Sequence, residues 1–200
     1  MNKNKEFQKL LHEPGANIVD ADTGFGNAIN VIRTVREFER AGVSAIQLED
    51  QVSPKKCGHF NGKQVISREE MVYKVKAALD TRVDENVAII ARTDTLAVSG
   101  IEDALERAHA YAEAGADITF VEAPTTIGQL QQITSSLKGI HQVLNLVEGG
   151  KTPLISLKEA EAIGFKVVIL CEYGTPVSDQ SNQRIFGNTK RRGGSAEFIG

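Results

Sequence analysis

Short apolar runs alternate with longer amphipathic ones along most of this chain. The short runs are Asn17–Ala21, Ala45–Leu48, Val87–Ala91, Ile118–Val121, Gln142–Leu146 and Lys166–Leu170, and most are rich in Val and Ile. Near-continuous apolarity over so few residues predicts strands buried on both faces, and therefore a parallel sheet. Between them the periodicity becomes helical. Ala28–Ala41 carries Ile29, Ile32, Val35 and Phe38 at helical spacing; Ser67 and Glu70 form a capping box that opens a second helix; Ile101–Ala114 reads as a third. A weaker helix runs near Gln129–Leu137, and Ser156 with Glu159 makes a second capping box. Three times the chain reads helix, then glycine, then strand, at Gly42, Gly115 and Gly164. A repeated strand–helix unit with right-handed crossovers gives either an open doubly wound sheet or a closed barrel.

The strand ends decide between the two. Almost every strand ends in polar groups: Asp20 and Asp22, Glu49 and Asp50, Arg92 and Asp94, Glu122, then Asn145. A doubly wound sheet gathers its site at one switch point, whereas polar ends on successive strands fit a ring around a barrel mouth. No Gly-x-Gly-x-x-Gly loop follows the first strand, and Gly24-Phe25-Gly26 is too short a signal to count as one. The predicted fold class is α/β, with a closed barrel favoured over the open sheet. Beyond Leu170 the pattern stops. Residues 171–200 are rich in Gly, Ser, Asn, Gln, Lys and Arg, and Lys190–Ser195 reads as solvated coil. The catalytic domain is therefore expected over residues 18–170, between an N-terminal segment, 1–17, and a divergent, disordered tail, 171–200.

Composition narrows the class. The 200 residues suit one domain, or a large part of one, and 41% apolar residues supply a core. With no Trp and only 6% aromatics, that core must be mostly Val, Ile, Leu and Ala. A net charge of -3 gives no pointer to nucleic acid. No stretch reaches the roughly 18 apolar residues of a membrane helix, and Met1–Gly15 lacks the apolar run of a secretory signal. Cys57 and Cys171 are too few for a disulfide framework, so a reducing, cytoplasmic compartment is expected.

Three clusters can carry chemistry. Successive strand side chains alternate faces, so Asp20 and Asp22 project the same way, and two such carboxylates repel unless a cation lies between. Hard oxygen donors favour Mg²⁺, or Mn²⁺ in its place, with Glu49 joining through a water; the alternative is a polar strand exit in which one Asp caps a turn. Lys55-Lys56-Cys57-Gly58-His59 follows the second strand. Its basic surroundings should lower the Cys57 pKa, and Gly58 permits tight turns, so the loop could close over a site and deliver Cys57 as acid or base; otherwise it is an exposed basic loop. Arg92 is either a bidentate clamp for a substrate carboxylate or a structural partner of Asp94, Glu122 or Glu49. Glu122 and Asn145 could bind substrate oxygens. His12, His109 and His141 show no metal-ligand spacing, and Cys171 is most simply an inert thiol.

Taken together, these motifs are far more specific than any one alone. Val19-Asp20-Ala21-Asp22-Thr23-Gly24-Phe25-Gly26, Leu48-Glu49-Asp50-Gln51, the Lys55–His59 loop, Ala91-Arg92-Thr93-Asp94, Phe120-Val121-Glu122-Ala123 and Asn145–Gly150 occur in that order. The chain from about Ile18 to about Leu170 thereby resembles the isocitrate lyase/phosphoenolpyruvate mutase superfamily. The Lys-Lys-Cys-Gly-His loop resembles its lyase branch, which includes 2-methylisocitrate, dimethylmalate and petal-death-type lyases. The resemblance implies a (β/α)8 barrel of the TIM type with Mg²⁺ at its mouth: Asp20 and Asp22 at the metal, Glu49 in the same water network, Cys57 as proton donor on a gating loop with Gly58, and Arg92, Glu122 and Asn145 binding substrate. The implied activity is cleavage of a 2-hydroxy di- or tricarboxylate into a 2-oxo acid and a carboxylic acid.

The family also has two strand–helix units ahead of the Asp20 strand, and further helices and arginines after Leu170. This chain is therefore expected to be truncated, with about six of the eight units of a complete barrel. Its open edges should favour self-association into a homo-oligomer. Two other readings stand beside the lyase: a non-catalytic truncated isoform or gene remnant, and a phosphonomutase-type enzyme, against which the Cys57 loop argues.

Overall fold

The computed structural model describes residues 17–56, 62–171 and 195–198, with the side chains of 171 and 195–198 left aside. Cys57 and Gly58 lie outside the described residues. Strands are β1 (Ile18–Asp20), β2 (Ala45–Glu49), β3 (Ala88–Thr93), β4 (Ile118–Val121), β5 (His141–Val147), β6 (Val167–Cys171) and β7 (Ser195–Phe198). Helices are α1 (Ala28–Arg40), α2 (Arg68–Thr81), α3 (Leu96–Ser99), α4 (Ile101–Glu113), α5 (Ile127–Ser136) and α6 (Leu157–Ile163).

The sheet order is β1-β2-β3-β4-β5-β6-β7, and β1 to β6 are parallel throughout. Each sequential pair is joined by a helical crossover, so the six strands curl into a half-barrel with helices outside. This is the expected fold, incomplete as expected. Ser195–Phe198 departs from the coil expected there: it pairs antiparallel with β6, from Val167↔Phe198 to Leu170↔Ser195. The alternating Ser195-Ala196-Glu197-Phe198 is long enough to line an open strand edge, although it carries too little apolar signal to stand out.

Local signals set the helix boundaries. Asn27 and Ser156 close reciprocal capping boxes with Asn30 and Glu159, and the Ser67 hydroxyl accepts from the amide of Glu70. Gly164 ends α6 with φ of 115°, a conformation a side chain would resist. The buried stripe of α1 differs from the expected one. Val31, Thr34 and Val35 face inward, while Ile29 is 74% exposed because it precedes that stripe by less than one turn.

Strand alternation divides the core into layers. On the outer face, Ile46, Leu48, Ile89 and Ala91 pack with Val31 and Val35 of α1 and Met71 and Val75 of α2. Leu144, Leu146, Val168 and Leu170 pack with α4, α5 and α6. The inner face is a third cluster of Ala45, Ala88, Ile90, Ile118, Phe120, Val143 and Val167.

Asp50, just past β2, brings a carboxylate into the outer layer, with no exposed surface. Its carboxylate accepts from Thr93 Oγ1 at 2.7 Å, the Asp94 amide at 2.9 Å, Arg107 Nη1 at 3.2 Å and Tyr111 Oη at 2.8 Å. Burial raises its pKa, and these donors work against that shift. Removing one member of such a buried set leaves the others unpaired. Asp50→Ala should therefore lower the urea midpoint by the equivalent of about 3–5 kcal/mol. Glu37→Ala, which breaks the exposed Arg40 pair, should cost no more than about 1 kcal/mol. Equal midpoints for the two variants would refute the structural role of Asp50.

Candidate active site

Strand period two carries the inner apolar face straight into the candidate site. Following Ile18 by two residues gives Asp20; following Ala45 by four gives Glu49; Ile90 leads to Arg92 and Asp94, Phe120 to Glu122, and Val143 to Asn145. The expected site residues on described strands therefore share one face. They stand at or towards the carboxyl ends of β1 to β5.

Asp22 reaches the cluster by a route other than strand alternation. β1 ends at Asp20, and Asp22 turns with φ of 51°. Its amide donates to Asp20 Oδ1 at 3.0 Å, and its carbonyl accepts from the Glu49 amide at 2.9 Å. Asp tolerates this left-handed backbone because its own short side chain supports turns. Gly24 is required two residues later: a Cβ there would come within 2.5 Å of Val31 Cγ2, at a φ of 79°. Lys74 of α2, 3% exposed, donates to the Thr23 carbonyl at 3.1 Å and pins the loop from outside.

A lysine holds the carboxylates together. Lys55 Nζ contacts Asp22 Oδ1, lies 3.0 Å from Asp20 Oδ2 and stands 3.8 Å from Glu49 Oε2. Burial alone would lower the Lys55 pKa, but hydrogen bonds to Asp22 and Asp20 and the charge of Glu49 overcome it and raise it. Glu49 is fully buried, and neither of its oxygens accepts a hydrogen bond. Desolvation pushes its pKa up to about 7 against the pull of Arg92.

Arg92 realises the structural alternative without excluding the other. Its Nε and Nη2 donate to Asp94 at 2.9 and 3.1 Å, a bidentate pair, while Glu49 and Glu122 stand at 3.5 and 3.7 Å. The guanidinium lies 5.3 Å from the centroid of the Phe120 ring. Asp94 also accepts from Lys63 Nζ at 2.9 Å, and both side chains are buried. Burial would raise the Asp94 pKa, but Arg92 and Lys63 lower it. Ala123, directly after Glu122, has φ of 55°, a strained backbone of the kind that gathers at functional sites.

Asn145 sits on β5, half-buried. The β4–β5 ladder stops at Thr119↔Gln142, before Glu122 and Asn145. A cavity of about 540 Å³ adjoins the cluster, lined by Lys63, Leu96, Val98, Ala123, Thr125 and Gln129, among others. Lys55 and Lys63 as counter-ions of the aspartates escaped sequence reasoning. Both belong to the polar segment after β2, where no periodicity reports which way a side chain turns.

The residues present fit a divalent cation. Asp20, Asp22 and Glu49 turn hard oxygens towards one cationic atom, and Glu49 has two buried acceptors without a hydrogen-bond donor. Among the described residues, no three Asp, Glu, His or Cys groups form a closed ligand set. Direct ligation would thus use one or two carboxylates.

Fold and site together define a parallel α/β half-barrel with an acidic mouth. The family model for phosphoenolpyruvate phosphomutase matches residues 16–177, and the chain belongs to that family, the phosphoenolpyruvate mutase/isocitrate lyase superfamily. It is 56% identical over 152 residues to a 2,3-dimethylmalate lyase of Eubacterium barkeri, covering 76% of this chain and 52% of the relative. It is 54% identical over 152 residues to a 2-methylisocitrate lyase of Aeropyrum pernix, covering 76% and 48%. A crystal structure of 2,3-dimethylmalate lyase superposes with a TM-score of 0.76 at 37% identity, over 84% of this chain and 56% of that one. The chain spans about half the length of the curated relatives it matches.

Lys63 tests how the cluster is held. Lys63→Met keeps the bulk of the side chain but removes a charged donor from Asp94, which should cost about 2 kcal/mol in denaturant melts. Lys63→Arg, which keeps the charge, should lose less than Lys63→Met. An unchanged midpoint for Lys63→Met would show that Arg92 alone satisfies Asp94.

Proposed function

We propose that this chain carries the mouth of a Mg²⁺-dependent carbon–carbon lyase. Its substrate is a 2-hydroxy di- or tricarboxylate of the methylisocitrate or dimethylmalate kind, and its products are a 2-oxo acid and a carboxylic acid. One observation carries the reading: a concentration of charge with an excess of one sign. Among the described residues, the three carboxylates of Asp20, Asp22 and Glu49 converge on the one ammonium of Lys55. A mouth with that balance repels a polycarboxylate unless a further cation enters, and the oxygen-rich corner at Asp20 and Asp22 is suited to receive it. Relatives named as lyases at 56% and 54% identity support the same chemistry.

When bound, the divalent cation supplies Lewis-acid polarisation of the oxygen that becomes the 2-oxo group. Asp20 and Asp22 hold it, directly or through water, and Glu49 orders that water. Arg92 spends its Nε–Nη2 edge on Asp94, so its Nη1 end is the part offered to a substrate carboxylate. Glu122 and Asn145 orient substrate oxygens. In the cleavage, the hydroxyl proton leaves to a base, C2–O becomes C=O, and the carbon–carbon bond breaks. Its electron pair passes to the carbon beside the departing carboxylate. Cys57 delivers the proton that quenches this carbanion, from a loop whose base is fixed: Gln51 clamps the Lys56 backbone by two hydrogen bonds of 2.9 Å, and Lys56 Nζ donates to the Gly62 carbonyl at 2.8 Å. Arrangement of these charges before reaction is the main source of rate.

The proposal extends to a reducing, cytoplasmic setting, on the cysteine count, and to a homo-oligomer. For the latter, the outer edge of β1 pairs with no strand among the described residues. No described helix is long and apolar enough to cross a membrane.

Turnover assays with 2,3-dimethylmalate, 2-methylisocitrate and phosphonopyruvate test the function. The two hydroxy acids should be cleaved only with Mg²⁺ or Mn²⁺. Cys57→Ser should lower kcat by about 10²-fold or more while KM changes little, because a serine hydroxyl is the far weaker acid. Turnover of phosphonopyruvate alone would favour the mutase reading, and no turnover of any of the three would favour a non-catalytic chain.

A further inference from the structure

The ammonium of Lys55 occupies the point at which the mouth carboxylates converge. It contacts Asp22, lies 3.0 Å from Asp20 and stands 3.8 Å from Glu49. Glu49 makes this more than an acidic cluster, because among the described residues its two buried oxygens lack hydrogen-bond donors and Oε2 stands 3.8 Å from this point. We propose that Lys55 is a built-in counter-cation that competes with the divalent metal for these oxygens, so that metal binding is an exchange of one cation for another. The inference rests on the metal reading proposed above.

The local geometry says how the exchange proceeds. Lys55 is 30% exposed at its side chain, so solvent already reaches it. The backbone beside it is fixed by the two Gln51–Lys56 hydrogen bonds. The ammonium therefore leaves by rotation of its own flexible side chain, while the segment stays in place. A doubly charged ion and an ammonium cannot share such close oxygens without mutual repulsion. The lysine thereby keeps Asp20, Asp22 and Glu49 together without metal, and it sets the affinity of the metal that replaces it.

The test is Mn²⁺ binding to the full chain, read from the paramagnetic resonance of free Mn²⁺ and from calorimetry. Lys55→Gln should bind Mn²⁺ about tenfold more tightly than the wild type, because a competing like charge is gone. Lys55→Arg, which keeps the charge, should not gain affinity. Equal binding by Lys55→Gln and wild type would overturn the inference and leave the metal reading standing. Absence of binding in both would overturn the two together. A second measurement does not depend on Lys55→Gln folding. In wild-type chain carrying ¹³C-lysine, Mg²⁺ should shift the Lys55 ε-methylene resonance, assigned by its loss in Lys55→Arg, and leave Lys74 unmoved. An unmoved Lys55 signal in metal-saturated protein would overturn the proposal.

Discussion

Glu49 and Asp50 place two carboxylates side by side on fully buried positions, and the alternation of the chain sends them in opposite directions. Most of the polar architecture follows from how each is satisfied. Asp50 points into the helix layer and meets a hydroxyl, an amide, a phenol and a guanidinium. Glu49 points into the mouth and, among the described residues, has Arg92 at 3.5 Å and Lys55 at 3.8 Å and accepts no hydrogen bond. A buried carboxylate without donors is costly, and its pKa climbs to about 7 for that reason. The first is a finished structural joint. The second is an unfinished one, of the kind that a ligand, ion or ordered water completes.

Arg92 inherits the same tension. It stands among Glu49, Asp94 and Glu122, and its planar fork can match only one of them well. Asp94 wins because it lies two residues along the same strand face, within reach of both Nε and Nη2. Lys63 then shares Asp94, which spares Arg92 from neutralising it alone. The arginine is thus oriented by a carboxylate that is itself doubly held. Its remaining edge is thereby held in place rather than free to swing.

Much of this was legible in the sequence, for identifiable reasons. The six parallel strands stood out because burial on both faces leaves Val- and Ile-rich runs with no polar interruption, as in Ala88-Ile89-Ile90-Ala91. The mouth stood out because polarity returns abruptly at Asp20, Glu49, Arg92 and Glu122. The path to Asp22 was not legible: its convergence depends on a positive φ and an Asp20 hydrogen bond, neither of which has a periodic signature. Ile29 misled because apolar identity alone does not say which side of a helix meets the sheet. Lys55 and Lys63 were hidden for the opposite reason. Their segment reads as a polar loop that either closes over a site or stays exposed, and only three-dimensional proximity shows that its charges answer aspartates at the ends of β1 and β3.

One coupling between the mouth and the outer core runs through the Asp94 amide. Helix α4 bridges the two outer clusters, with Ala104, Leu105 and Ala108 in one and Tyr111 in the other. From α4, Arg107 and Tyr111 hold Asp50, and Asp50 Oδ1 accepts the Asp94 amide at 2.9 Å. Asp94 turns its carboxylate inward to Arg92 and Lys63. Position along the strand therefore converts packing outside the barrel into orientation inside it. A shift of α4 against the sheet would move Asp50, release the Asp94 backbone and loosen the fork that holds Arg92. Precision at the mouth is in this sense a property of the helix layer, and the buried polar joint at Asp50 transmits it at the point where the apolar layers on either side of the sheet cannot.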